Sequence, residues 1–444
     1  MFSKIDLRKL IIPLIIEQTL AITIGMIDTI MVSGVGESAI SGVAIVDPIN
    51  ILIINLFSAL ATGGAIVVSQ YLGKKNIEKA SDAARQLIIG TTLLSVLIMV
   101  IFLMFRSQIL ALVFDRVESN VMRQAIIYFT LTVLSFPFIA IYNSGAALFR
   151  AMGNSKISMV NALIMNVINI IGNAIFIYVF KWGVFGAALA TLISRIISSI
   201  SMLIMLRKPI FEVYVTNYSL KKINFKVIKS ILSIGIPNGL ENSMFQIGKI
   251  LVVSIVATLG TTAITANAVG GSIASIMIIP SSAIGLAMIT VVGRCVGAND
   301  FKSINYYTKY LLKVCYTIMI VFNIIVMLSL KPLLGVYNLS DTTFKLTYQI
   351  LIFYSVNAMI IWPIAFSLPN VFRAASDVKY TMMISIISMW LFRISLSFIL
   401  VNYFKIGLFA VWIAMIADWY FRALCFSVRW FNGKWKSKYI VQED

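Results

Sequence analysis

Twelve apolar stretches follow one another along the 444 residues of the chain, at roughly 9–33, 41–72, 82–105, 124–149, 157–180, 184–206, 230–259, 262–293, 304–330, 344–372, 380–402 and 407–430. About 20 apolar residues of helix cross a hydrocarbon core about 30 Å thick, and each stretch is that long. Lipid leaves no backbone polar group a water partner, so an apolar segment of this kind crosses as a helix. Hydrophobic residues make up 60% of the chain and charged ones 12%; a soluble domain carries about 25% charged residues. The sequence therefore reads as an all-α integral membrane protein with twelve transmembrane helices, multi-pass in the cell membrane. The first stretch is long enough to span and no small-residue cleavage motif follows it, so no cleavable leader is expected.

Several kinds of chemistry are excluded early. Histidine is absent, which removes imidazole bases, relays and metal ligands. Cys295, Cys315 and Cys425 form no CxxC and read as small packing residues. No P-loop GxxxxGK[ST] occurs, so no nucleotide-driven motor is encoded. The chain is expected to be a non-enzyme without a cofactor. Its net charge of +19 would suggest nucleic acid in a soluble protein; here it reads as cytoplasmic loops collecting Lys and Arg, and no nucleic-acid partner is expected. With the N terminus inside, the inside segments hold 24 Lys and Arg and the outside segments 7, which places both termini in the cytoplasm. Arg207, Lys208, Lys221, Lys222, Lys226 and Lys229 make 207–229 a basic cytoplasmic linker between an N-lobe, 1–206, and a C-lobe, 230–444.

The two lobes repeat. Pro13 and Pro237, Glu17 and Glu241, Gly36 and Gly260, Ala39 and Ala263, Gly73 and Gly297, and Gly183 and Gly407 are each 224 residues apart; Arg150 and Arg373 are 223 apart. One offset held across six helices is an internal repeat. Six spans per half bring both halves into the membrane from the same side, as parallel repeats. Transporters built this way place substrate between the halves and alternate access by rocking.

Intramembrane charges are the candidate functional groups, since each costs roughly 2.5–3.5 kcal/mol at the bilayer centre. Asp28 follows Glu17 by 11 residues, about 20° round an ideal helix and about 16 Å along it. Both follow Pro13, which removes a helix hydrogen bond and allows a bend, so Pro13 and its counterpart Pro237 are candidate hinges. Asn169 and Asn173, spaced i,i+4, reach the depth of Asp28, and so does Thr191; such oxygens with an acid can hold a proton or Na⁺. Asp47 could add a second acid. In the C-lobe, Glu241 and Lys249 are about 12 Å apart along one helix and about 80° round it. With Gln246 and Asn357 they are the candidate second-lobe substrate residues. Arg195, Arg393, Asp418 and Arg422 read as near-interface or structural charges.

In their order, these residues resemble the MATE family, the multidrug and toxic compound extrusion antiporters. The landmarks are Pro13 to Asp28 followed by Thr29, Gly36 with Ala39, SQYLG at 69–73, LFRAMGNSK at 148–156, Asn169 with Asn173, GVFGAALAT at 183–191, IPNGLE at 236–241 and NVFRAASD at 370–377. The resemblance covers nearly the whole chain. It implies two pseudo-symmetric six-helix bundles in a V, exporting organic cations or other amphipathic drugs in exchange for Na⁺ or H⁺. In the branch with an N-lobe cation site, the first-span Asp corresponds to Asp28, the fifth-span pair to Asn169 and Asn173, the sixth-span Thr to Thr191, and the kinking proline to Pro13. The family carries an Asp where Asn173 stands, so Asp28 would act with fewer acids, helped by Asp47. The branch using an acid on span 10 is not matched: Trp362 and Pro363 stand there. Membrane lipid is the expected surrounding partner and a monomer the expected state. The rival readings are a lipid-linked oligosaccharide flippase of the same superfamily and a non-transporting membrane subunit.

Overall fold

The computed structural model describes residues 2–113, 118–218 and 223–437. Arg116, Lys221, Lys222 and Lys438, all counted above, lie outside the described residues, as does the rest of the C-terminal tail. The helices are α1 (Lys4–Ser33), α2 (Glu37–Gly73), α3 (Ile77–Met104), α4 (Arg106–Val113), α5 (Ser119–Leu134), α6 (Phe136–Ala151), α7 (Ser155–Asn173), α8 (Gly183–Leu206), α9 (Phe225–Ala257), α10 (Thr261–Met277), α11 (Ile279–Gly297), α12 (Phe301–Leu328), α13 (Leu330–Gly335), α14 (Asp341–Trp362), α15 (Pro369–Ala374), α16 (Val378–Ser388), α17 (Ser397–Asn402) and α18 (Leu408–Phe431). Segments wound with the wider π spacing lie at Ala174–Val179, Pro363–Ser367 and Met389–Leu396. Among the described residues, eleven helical segments are long and apolar enough to cross a membrane, and α5 with α6, bent by 46°, make a twelfth. The all-α, multi-pass architecture read from the sequence is the one found.

The prolines divide into two groups. α1 runs unbroken through Pro13, α2 through Pro48 and α9 through Pro237. Pro13 has no N–H for the Lys9 carbonyl; the Ser155 hydroxyl approaches that carbonyl at 3.4 Å and donates to the neighbouring Leu10 carbonyl at 2.6 Å. Pro137, Pro280, Pro363 and Pro369 stand where helices break. The α5–α6 bend falls at Ser135, two residues before Pro137, and the Ser135 hydroxyl turns back to the Thr132 carbonyl. The eighth span breaks at Ile278 before Pro280, where Asn323 donates to the Met277 carbonyl at 3.2 Å.

The chain divides into two compact units, Phe2–Gly239 and Leu240–Asp444. The division falls inside α9, beyond the linker 207–229. Part of that linker is packed rather than solvated: Val213 and Val215 are buried, and Phe211 meets Phe149 edge-on. In the first unit α2 is the central helix, with Phe57 edge-on to Phe136 of α6. In the second unit α11 holds that place, buried along nearly its whole length. Apolar side chains on α3, such as Leu97 and Ile101, are exposed, as are Val321 and Ile325 at the repeat positions on α12. A wide exposed apolar face on a twelve-span protein is its lipid face.

The repeat is written in the backbone as well as in the side chains. Positive φ at Gly36, Lys75, Gly153, Lys181 and Gly183 recurs at Gly260, Asn299, Ser376, Lys405 and Gly407. Asn76 caps α3 by accepting from the Lys79 amide, and Asp300 caps α12 by accepting from Ser303 in the same register. Thr91 and Ser144 hydrogen-bond across α3 and α6 at 2.9 Å; their counterparts Cys315 and Ser367 meet at 3.6 Å.

Candidate functional site

In the first unit, close packing of α7 on α8 builds a polar chain. A Cβ on Gly172 would lie 2.9 Å from the Ala190 Cβ, so only glycine allows this approach. One turn earlier on α7, Asn169 donates to the Thr191 hydroxyl at 3.2 Å. Asn173 donates to Asp28 Oδ1 at 2.8 Å, and its amide also faces Asn169 Oδ1 at 3.4 Å. The structure thus joins Asp28, Asn173, Asn169 and Thr191 across α1, α7 and α8. The Asn173 carbonyl oxygen is buried with no donor, beside a carboxylate. Buried acceptors without partners are uncommon, and this one suits a cation or a proton. The π segment Ala174–Val179 begins directly after Asn173, and such segments often mark functional positions.

Asp47 joins this cluster indirectly. The Tyr128 hydroxyl reaches Asp47 Oδ1 at 3.5 Å. Arg195 donates to the Ser135 hydroxyl at the α5–α6 bend at 2.6 Å and lies within electrostatic reach of Asp28, Asp47 and Tyr128. Two carboxylates and one guanidinium sum to one negative charge, which one proton or one monovalent cation neutralises. Arg195 was legible as an intramembrane charge, but its place between two acids was not. Tyr128 gave no sequence signal.

Glu17 and Glu241 belong to a different device. Arg150 pairs with Glu17 Oε1 at 2.8 Å, and the Ser158 hydroxyl donates to Glu17 Oε2 at 2.7 Å. In the second unit Arg373 pairs with Glu241 Oε1 at 2.7 Å, and Ser385 donates to the same oxygen at 2.6 Å. The pairs sit at matched repeat positions and are largely buried. The signal was present: an acid and a base were both duplicated, at offsets of 224 and 223. Removing one partner of such a pair typically costs about 3–5 kcal/mol, because the other charge is left buried alone. Glu241 is therefore first a structural anchor. It still lines a cavity of about 300 Å³ with Asn370, Arg373, Ser385 and Arg422.

A second cavity of the second unit, about 450 Å³, is lined by Lys249, Arg393, Tyr354, Trp362, Trp412 and Trp419 among others. Lys249 Nζ and the Arg393 guanidinium each lie over the Phe245 ring, at 5.1 and 5.0 Å. Arg393 stands within the π segment Met389–Leu396 and is buried. Asp418 and Arg422 form the structural pair, at 2.8 Å within α18; Arg393 makes no ion pair with Asp418 but lies within its electrostatic reach. Gln246 and Asn357 line neither cavity. Asn357 donates to the Phe353 carbonyl of its own helix and accepts from Tyr420.

Twelve spans in two repeats, with ionisable groups buried in each, define a multi-pass cell-membrane protein of transporter architecture. The MatE family model matches residues 13–175 and matches again over 237–399. The chain belongs to this family, the MATE transporters, as its landmarks suggested. It is 27% identical to YisQ, an uncharacterized transporter of Bacillus subtilis, over 96% of this chain and 94% of that one. It is 24% identical to NorM of Thermotoga maritima, described as a probable multidrug resistance protein, over 99% and 94%. The crystal structure of a MATE protein in a bent conformation matches with a TM-score of 0.89 at 21% identity, covering 98% of this chain and 97% of that one.

Proposed function

We propose that this chain is a secondary active multidrug efflux antiporter. It exports amphipathic compounds, organic cations among them, by alternating access, in exchange for Na⁺ or H⁺ taken up at Asp28. The relatives named as multidrug resistance and multidrug export proteins support the class of activity. The observation that carries the coupling site is the Asp28–Asn173–Asn169–Thr191 chain, with its orphaned acceptor.

The proposed step follows from the chemistry of the Asp28–Asn173 bond. An ionised Asp28 accepts a charge-assisted hydrogen bond from Asn173, roughly twice as strong as a neutral one. A proton or Na⁺ on Asp28 removes that charge and loosens the tie between α1 and α7. α1 is suited to repack. Pro13 leaves out one backbone bond, and Thr19, Thr23 and Thr29 each donate to the carbonyl four residues earlier, a pattern that bends helices. The cation drives export only if it binds one facing state more tightly than the other. With both termini cytoplasmic, Asp28 lies toward the outside, where the driving ion enters.

The test is uptake of a fluorescent organic cation into proteoliposomes under imposed Na⁺ and H⁺ gradients, applied separately, for wild type and Asp28→Asn. Gradient-driven transport in the wild type and its loss in Asp28→Asn is the expected result, and the effective gradient names the ion. Transport that survives in Asp28→Asn overturns the coupling site.

A further inference from the structure

The charges left over in the second unit point to a ligand of the opposite sign. Its buried acids near the cavities are occupied: Glu241 by Arg373 and Asp418 by Arg422. Glu241 Oε2 and Asp418 Oδ2 have no hydrogen-bond partner, and Asp418 lies within electrostatic reach of Arg393, but neither acid is on the wall of the larger cavity. Lys249 and Arg393 remain, and both are on that wall. No carboxylate lines it. Phe245 attracts both cations through its ring face but offers neither a hydrogen-bond acceptor.

Among the fully buried polar atoms of this wall, those without partners are donors. Arg393 Nη1 is buried without an acceptor, and the residue is 8% exposed. The indole N–H groups of Trp412 and Trp419 are likewise buried without acceptors. The Tyr354 hydroxyl donates elsewhere, to the Ala274 carbonyl. Two basic side chains on one wall that carries no carboxylate form a receptor for a negatively charged group. Asn267, Ser272 and Ser275 also line it, the rest of the lining is aromatic and apolar, and the cavity has the volume of small-molecule sites.

We propose that the larger cavity of the second unit binds an amphipathic organic anion. Its carboxylate or phosphate sits at Lys249 and Arg393, and its apolar body lies against Trp412, Trp419 and Trp362. A cation entering the cavity meets two like charges and no acid. The shared chemistry is an anionic head on an apolar body, whether free or as a lipid headgroup. This deepens the efflux reading by naming a class of cargo, and it is tested by binding without a gradient. Failure of Asp28-dependent transport and failure of anion binding are thus separate results.

The experiment titrates pyrenebutyrate and its amine isostere, pyrenebutylamine, into the full-length protein in neutral detergent, reading energy transfer from tryptophan. Wild type is expected to bind pyrenebutyrate. Arg393→Gln and Lys249→Gln are each expected to weaken it by about tenfold or more, the value of a charge-assisted hydrogen bond. Pyrenebutylamine affinity changes little in both. Arg393→Lys restores most of the anion affinity, which separates a charge effect from misfolding. Lys249, an exposed residue, supplies the variant with least risk to the fold. Nanodiscs with and without phosphatidylglycerol form a second arm. Competition by phosphatidylglycerol assigns the head to a lipid phosphate; undisturbed pyrenebutyrate binding assigns it to a free anion. Pyrenebutyrate affinity unchanged in both glutamine variants, or lost in parallel with pyrenebutylamine affinity, overturns the proposal.

Discussion

Glu17 with Arg150 and Glu241 with Arg373 occupy the same register in two repeats, yet the polar groups further along the same helices have opposite signs. In the first unit α1 continues from Glu17 to Asp28, and the cluster around it carries one negative charge. In the second unit α9 continues from Glu241 to Lys249, and the cavity it lines carries two positive charges. The helix breaks differ as well. The span that bends at Ser135 in the first unit carries the π segment Pro363–Ser367 in the second, and the second breaks at Ile278 where α2 is continuous. Duplication has kept what holds each unit together and left free what each unit binds.

The largest expected effect tests the shared part. Arg150→Ala and Arg373→Ala should each destabilise by about 3–5 kcal/mol, as for other buried pairs deprived of one partner. Unfolding in mixed micelles measures this. Adding Glu17→Gln or Glu241→Gln to the matching variant should recover most of the loss. If one unit tolerates the loss and the other does not, the two pairs are not equivalent.

Smaller effects sharpen the difference. Gly172→Val forces α7 away from Ala190 of α8, which is expected to cost about 1–3 kcal/mol in thermal unfolding. It should also weaken the Asn169–Thr191 contact, with no effect on anion binding in the second unit. Asn173→Asp places a second carboxylate beside Asp28. One added charge at about 4 Å is worth about 1–4 kcal/mol, so Na⁺ binding by calorimetry should tighten by about tenfold. The smallest effect belongs to the hydroxyl contact of α3 with α6 and its sulfur counterpart. Thr91→Val and Cys315→Val should each shift stability by about 0.6 kcal/mol or less, a typical value for polar contacts between membrane helices.

The helical frame was legible because it depends on the length of apolar runs and on a repeat visible residue by residue. Asp28, Asn169, Asn173 and Thr191 were also legible, since periodicity fixes depth and face along a helix. Partners contributed by distant helices were not. Arg195 donates to Ser135 at the α5–α6 bend, and a bend is not encoded in periodicity. Glu241 looked like a ligand contact because its partner Arg373 lies 132 residues away. Trp412 and Trp419 carried no sequence signal; the fold places them on a cavity wall. Gln246 and Asn357 share a polar composition with the site but not its location.

The central claim is that two sites of opposite charge sit in the two repeats. Its most direct test is the affinity of pyrenebutyrate and pyrenebutylamine for wild type, Asp28→Asn and Arg393→Gln in the same detergent. The account predicts that Arg393→Gln weakens the carboxylate by about tenfold or more and leaves the amine within about twofold, while Asp28→Asn leaves the carboxylate within about twofold. Equal loss of the carboxylate in both variants would contradict it.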